Sequence, residues 1–149
     1  MEQQILEGVR RFMEGIPFNR FLGVELMELE IDKVVLKVPM RDELVGNYIH
    51  GILHGGVITS VLDVAGGCVA LTGAFSRLNG EPTNEEMQAI SKLGTIDLRV
   101  DFLRPGRGEW FLASACPLRT GNKVAVTRME FHNDRGDLLA VGTGTYLCG

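Results

Sequence analysis

The spacing of apolar positions changes several times along the chain. Between residues 2 and 15, Ile5, Val9, Phe12 and Met13 recur at helical spacing and Gly15 ends the run, which predicts an amphipathic helix. Residues 17–22 read as a turn or a short helical piece. Two strand-like runs, 24–31 and 33–38, flank Asp32, with alternation clearest at Val34, Leu36 and Val38. Residues 40–53 read as a loop that carries Asn47, His50 and Gly51. From Gly55 to about Ser76 the chain is apolar on nearly every side, the pattern of a buried central helix rather than a surface one. Residues 77–93, with Asn79-Gly80, Pro82 and Glu85-Glu86, read as an exposed insertion holding a short helix. Four strand-like runs close the chain at 94–103, 109–118, 123–132 and 138–147. Arg104-Pro105-Gly106, Thr120-Gly121-Asn122 and Asn133-Asp134-Arg135-Gly136 separate them.

This order predicts an α+β fold in which one long helix is wrapped by a curved antiparallel sheet. The expectation is one domain over residues 1–149, with 1–20 as an N-terminal helical segment and the last four strands as a meander. Exposed edges on such a meander invite pairing with a second copy, so a homodimer or a dimer of dimers is expected.

Composition narrows the function classes. A chain of 149 residues can bury a substantial core, and a net charge of −4 argues against a nucleic-acid partner. It leaves room for a small phosphorylated ligand held by two or three local cations. The N-terminus, MEQQILEGVRRF, does not read as a secretory signal. The run 57–75 approaches membrane-spanning length, but Asp63, three glycines and three hydroxyl side chains argue against a span. Three cysteines without a paired motif point to reduced thiols and the cytoplasm, with Cys68 filling core volume.

The candidate chemistry centres on Asp63, the one charged side chain between His54 and Arg77. An ionised carboxylate in a buried helix costs several kcal/mol unless it is paired, hydrated or protonated. Asp63 stands nine residues after His54. On a helix that is about 13–14 Å of rise and half a turn out of phase, so the two cannot meet within one chain. A site using both ends needs two subunits, with Asp63 of one chain facing Gly55 of the other. The helix start supplies backbone donors at Gly55 and Gly56 and the positive end of the helix dipole, fit to hold a carbonyl oxygen. Thr59 and Ser60 behind Asp63 could bond its carboxylate or a water, and Gly66 and Gly67 ahead could leave room for a substrate or a second helix. His54 reads chiefly as an anchor for the loop. His50 and His54 have metal-pair spacing but no third ligand, so no metal is expected. Arg104, Arg107 and Lys123 at the turns are candidates for phosphate contacts.

Three stretches, NYIHGILHGGVITSVLD, GTIDLRVDFLRPGRG and LLAVGTGTY, together resemble the hotdog-fold thioesterases of the PaaI type, and most nearly the YigI branch of bacterial acyl-CoA thioesterases. The resemblance spans nearly the whole chain. It implies hydrolysis of medium- to long-chain acyl-CoA to fatty acid and free coenzyme A, with no cofactor beyond the coenzyme A of the substrate. It implies Asp63 as nucleophile or general base, the Gly55 N–H as the group that polarises the thioester carbonyl, and Thr95 as the residue that positions water. Asn47, upstream of His54-Gly55-Gly56, would lie near the carboxylate. Two other readings fit the same residues: a hydratase or dehydratase acting on acyl thioesters with His50 or His54 as acid/base, and a non-catalytic acyl-CoA sensor.

Overall fold

A helix with no polar face has to be covered on every side. The rest of the chain does this for the 22-residue α3 (Gly55–Ser76) in the computed structural model, which describes residues 2–149. Six antiparallel strands form the cover: β1 (Glu25–Glu30), β2 (Lys33–Pro39), β3 (Gly94–Phe102), β4 (Trp110–Thr120), β5 (Val124–Asn133) and β6 (Leu138–Leu147). Val61, Leu62, Ala65 and Val69 of α3 face this sheet with no exposed surface. By length and composition α3 could cross a membrane, but its apolar surface is spent on the chain's own sheet.

Alternation along the strands sets which face meets the helix. On β6 the buried row is Ala140, Gly142, Gly144 and Tyr146. The small residues let α3 approach closely: a Cβ on Gly142 would stand 3.4 Å from Leu62 Cδ1. On β2 the buried row is Val34, Leu36 and Val38, as the alternation predicts.

The strand order is β1-β2-β4-β5-β6-β3, which corrects the expected four-strand meander. Of those last four strands, only β4, β5 and β6 pair in sequence order. The inner edge of β4 is taken by β2, with Val34 opposite Ala115, so β3 pairs with β6 and becomes the outer edge. Two- to five-residue loops make hairpins. The segment 103–109 between β3 and β4 is longer and crosses to the far side of the sheet, which the turn signals could not distinguish from a hairpin.

Two helical layers complete the cover. α1 (Glu2–Gly15) lies on α3 through buried Val9 and Met13. α2 (Pro17–Leu22) is tied to it by Asn19, whose amide donates to the Met13 carbonyl at 3.1 Å. α4 (Asn84–Ser91) begins in a capping box, in which Thr83 and Glu86 each accept the other's backbone N–H. The segment 77–93 is not simply an exposed insertion, because Ile90 is buried in the core and α4 caps the C-terminal half of α3.

Candidate active site

Asp63 is half-buried in the third turn of α3, where strand β3 crosses. Thr95 Oγ1 donates to Asp63 Oδ1 at 2.8 Å, and Tyr146 Oη donates to the same oxygen at 3.1 Å. The Tyr146 hydroxyl also lies 3.2 Å from the Asp63 carbonyl. Thr95 and Tyr146 stand opposite each other in the β3–β6 pairing, so one rung of the sheet delivers both hydroxyls. Among the described residues neither donor reaches Oδ2. One carboxylate oxygen is therefore clamped and the other is free to act. Burial, followed by the neighbouring carboxylate, raises the Tyr146 hydroxyl far above its usual value, so it stays protonated and serves Asp63 as a donor. A pocket of about 160 Å³ opens over Asp63, with Thr95, Gly67 and Phe12 in its wall.

The start of α3 is a second polar point. His54 is the N-cap, and its Nδ1 accepts the Gly56 N–H at 2.7 Å. Its backbone carbonyl takes the Val57 N–H at 2.9 Å. That leaves the Gly55 N–H without an acceptor among the described residues. The expectation of two free donors is thus corrected to one, because the His54 ring occupies the other. The ring also explains the glycine at 56, where a Cβ would stand 2.9 Å from Nδ1. Phe102, at the end of β3, lies beside Gly55.

A free donor at one end of a buried helix and a clamped carboxylate eight residues on, both on a hotdog scaffold, define a recognisable arrangement. A family model described as the thioesterase superfamily matches residues 50–140. The chain belongs to the thioesterase superfamily. The medium/long-chain acyl-CoA thioesterase YigI of Escherichia coli K12 is 48% identical over 138 residues, 93% of this chain and 89% of that protein. A crystal structure from Shewanella oneidensis, of a protein related to the thioesterase superfamily, aligns with a TM-score of 0.92 at 43% identity, covering 99% of this chain and 97% of that one. The PaaI protein of the E. coli phenylacetic acid degradation operon aligns with a TM-score of 0.80 at 17% identity, over 99% and 95% of the two chains, a likeness of fold alone.

Other residues singled out from this thioesterase-superfamily sequence fall in three places. Thr59 and Ser60 do not reach the carboxylate. Their hydroxyls donate to the carbonyls one turn back, Gly55 at 3.0 Å and Gly56 at 2.8 Å, as hydroxyls within helices commonly do. Gly66 does not open space for a ligand, because a Cβ there would overlap the Tyr146 hydroxyl and stand 2.8 Å from Thr127 Oγ1. Gly67 does line the Asp63 pocket. Asn47 shapes its own exposed loop by accepting the Ile49 N–H at 3.1 Å.

The three cations do not form one set. Arg104 and Arg107 sit at the Gly55 end of the sheet, donating to the carbonyls of Leu138 at 2.7 Å and His50 at 3.2 Å. Lys123 is exposed at the opposite end of the eleven-residue β4, some 30 Å or more away along a strand of that length. Tyr146 is the site residue that sequence reasoning missed, and it lies outside the span matched by the family model. Its signal was an inward-facing tyrosine on a closing strand, whose hydroxyl needs a buried partner. Asp63 is that partner.

Proposed function

We propose that this protein is an acyl-CoA thioesterase that hydrolyses medium- to long-chain acyl-CoA to a fatty acid and coenzyme A. The observation that carries the reading is the Asp63 carboxylate, held on one oxygen by Thr95 and Tyr146 and open on the other over a pocket. The E. coli relative, a medium/long-chain acyl-CoA thioesterase, supports the substrate class.

The working unit in this proposal is a homodimer, alone or within a dimer of dimers, with its sites at the subunit interface. Gly55 and Asp63 are eight residues apart on one helix, about 12 Å, too far to act on one thioester of the same chain. β3 is an edge strand with unpaired backbone groups and exposed Ile96 and Phe102. Thr95 lies beside Asp63 near one end of β3 and Phe102 lies beside Gly55 at the other. A two-fold pairing through the middle of β3 would set Asp63 of one subunit against Gly55 of its partner. The partner's Gly55 N–H then holds the thioester oxygen as charge develops on it. Asp63 Oδ2 attacks the carbonyl carbon or takes a proton from an attacking water, and the coenzyme A thiolate leaves. The reaction calls for no cofactor beyond the coenzyme A carried by the substrate. Three free thiols, at Cys68, Cys116 and Cys148, support a reducing compartment such as the cytoplasm.

Thiol release from straight-chain, branched and aromatic acyl-CoAs, for wild type and Asp63→Ala, tests the reading. Wild type is expected to release thiol and the variant to lose nearly all of that activity. Retention of most of it sinks the mechanism, and hydration of crotonyl-CoA without thiol release replaces hydrolysis with a hydratase. Single-turnover hydrolysis in oxygen-labelled water separates the two routes, since label entering Asp63 requires an anhydride.

A further inference from the structure

We propose that the distal part of the acyl chain lies in the apolar groove between α1 and α4, entered from the Asp63 pocket between Phe12 and Leu93. This rests on the acyl-CoA hydrolase reading and adds where the chain goes and what limits its length. The groove has a volume of about 790 Å³, with Ile5 and Val9 of α1, Leu71 and Phe75 of α3, and Met87 of α4 in its walls. That size falls in the range of roughly 300–1,000 Å³ typical of small-molecule pockets.

Continuity is the first argument. Phe12 and Leu93 line both this groove and the smaller pocket that holds Asp63 and Thr95. A thioester at Asp63 therefore has one apolar route at hand, along α3 and past these two side chains. The second argument is unpartnered apolar surface: Phe12 is 55% and Met87 44% exposed, both lining a space that no described side chain fills. The third is Gly8. A glycine inside a helix is less stable there than alanine, and it is normally kept for close packing or an unusual backbone angle. Gly8 has neither reason, since a Cβ on it would meet nothing within 4 Å and its φ is not positive. It lines the groove, so what its missing side chain provides is width.

An unbranched polymethylene chain fits this lining. The polar members, among them Gln4, Glu81 and Ser91, are exposed, and no charged side chain stands opposite another to bind a head group. Each methylene moved from water into such a site favours binding by about fourfold. The specificity constant kcat/KM should therefore rise with chain length until the groove is full.

The test is kcat/KM for butyryl-, octanoyl-, lauroyl- and palmitoyl-CoA, with the solution mass of each protein. Gly8→Phe places a ring in the groove from α1, and Met87→Trp does so from the opposite wall. In each, the ratio of lauroyl to butyryl kcat/KM should fall by about tenfold or more. Gly8→Ala, adding one methyl, should shift the ratio least. A ratio that stays at the wild-type value in both bulky variants overturns the groove assignment alone. So does an equal loss on all four substrates accompanied by a change in mass, which would make this face a contact between copies. Release of no thiol from any substrate by wild type overturns the hydrolase reading and the groove with it.

Discussion

The two flanks of α3 are packed to different ends. On the side of β5 and β6 the contact is close, and the glycine at 66 leaves room for one thing, the hydroxyl of Tyr146. On the side of α1 and α4 the glycine at 8 faces open space. The same residue type thus serves fit on one flank and volume on the other. A carboxylate that must be aimed needs its neighbours fixed to a fraction of an ångström, and close packing supplies that. A flexible apolar ligand needs room more than alignment. Asp63 stands where the two meet: the close-packed strands fix its carboxylate, and the open side next to it, reached past Phe12 and Leu93, supplies the room.

The comparison breaks first at Asp63. Asp63→Asn keeps the size of the side chain and removes its charge. The expected loss in kcat is about 10²- to 10⁴-fold, read as thiol release on a protein with wild-type circular dichroism. A smaller effect is expected from Tyr146→Phe, which removes one donor to a charged group. At about 1.5–3 kcal/mol this is a fall of roughly 10- to 100-fold in kcat with KM nearly held, so the kcat and KM split distinguishes aiming from binding.

The contrast between the two glycines can be sharpened directly. Gly66→Ala forces a methyl into the Tyr146 hydroxyl and against Thr127 Oγ1. It should cost about 1–3 kcal/mol, a drop of roughly 3–10 °C in a thermal melt.

The buried thiols also leave a pH signature. Burial pushes the Cys68 thiol from 9.0 up to about 12, and burial raises Cys148 in the same direction. Above the unfolded thiol value the unfolded chain releases a proton that the folded chain keeps. Stability is therefore full below about pH 9 and declines as pH rises toward 12, by up to ~1.4 kcal/mol per pH unit for Cys68. Urea midpoints across that window should show the decline, and Cys68→Ala should flatten it. Gly8→Ala is expected to have the smallest effect and the opposite sign to Gly66→Ala. With nothing for the methyl to strike, the melt should rise by about 0.5–1 kcal/mol of stability.

Most of the element positions were legible. The apolar run from Gly55 to Ser76 appears as α3 at those bounds, and the last strand runs over 138–147 as read. Periodicity reports which residues share a face, and both elements have strong periodicity or strong composition. The strand order was not legible, because a run of turn residues such as Arg104-Pro105-Gly106 looks the same in a hairpin and in a crossover. The candidate site was legible in half. A charge alone in an apolar helix stands out in any sequence, and so do paired glycines at its start. Thr95 was anticipated by family resemblance and meets Asp63, whereas Thr59 and Ser60 were placed by helical spacing and bond the backbone instead.

What the chain determined by itself was its local chemistry: which segment must be buried, where the helix begins, and that His54 and Asp63 of one chain cannot meet. These follow from period, rise and the cost of buried charge, all of which are properties of neighbouring residues. The tertiary structure alone decided what surrounds Asp63. Tyr146 is 83 positions away and Thr95 is 32, and only the pairing of β3 with β6 sets their hydroxyls on one carboxylate oxygen. It also decided that Gly66 is filled and Gly8 is open, because the space beside a glycine belongs to whatever distant segment packs there.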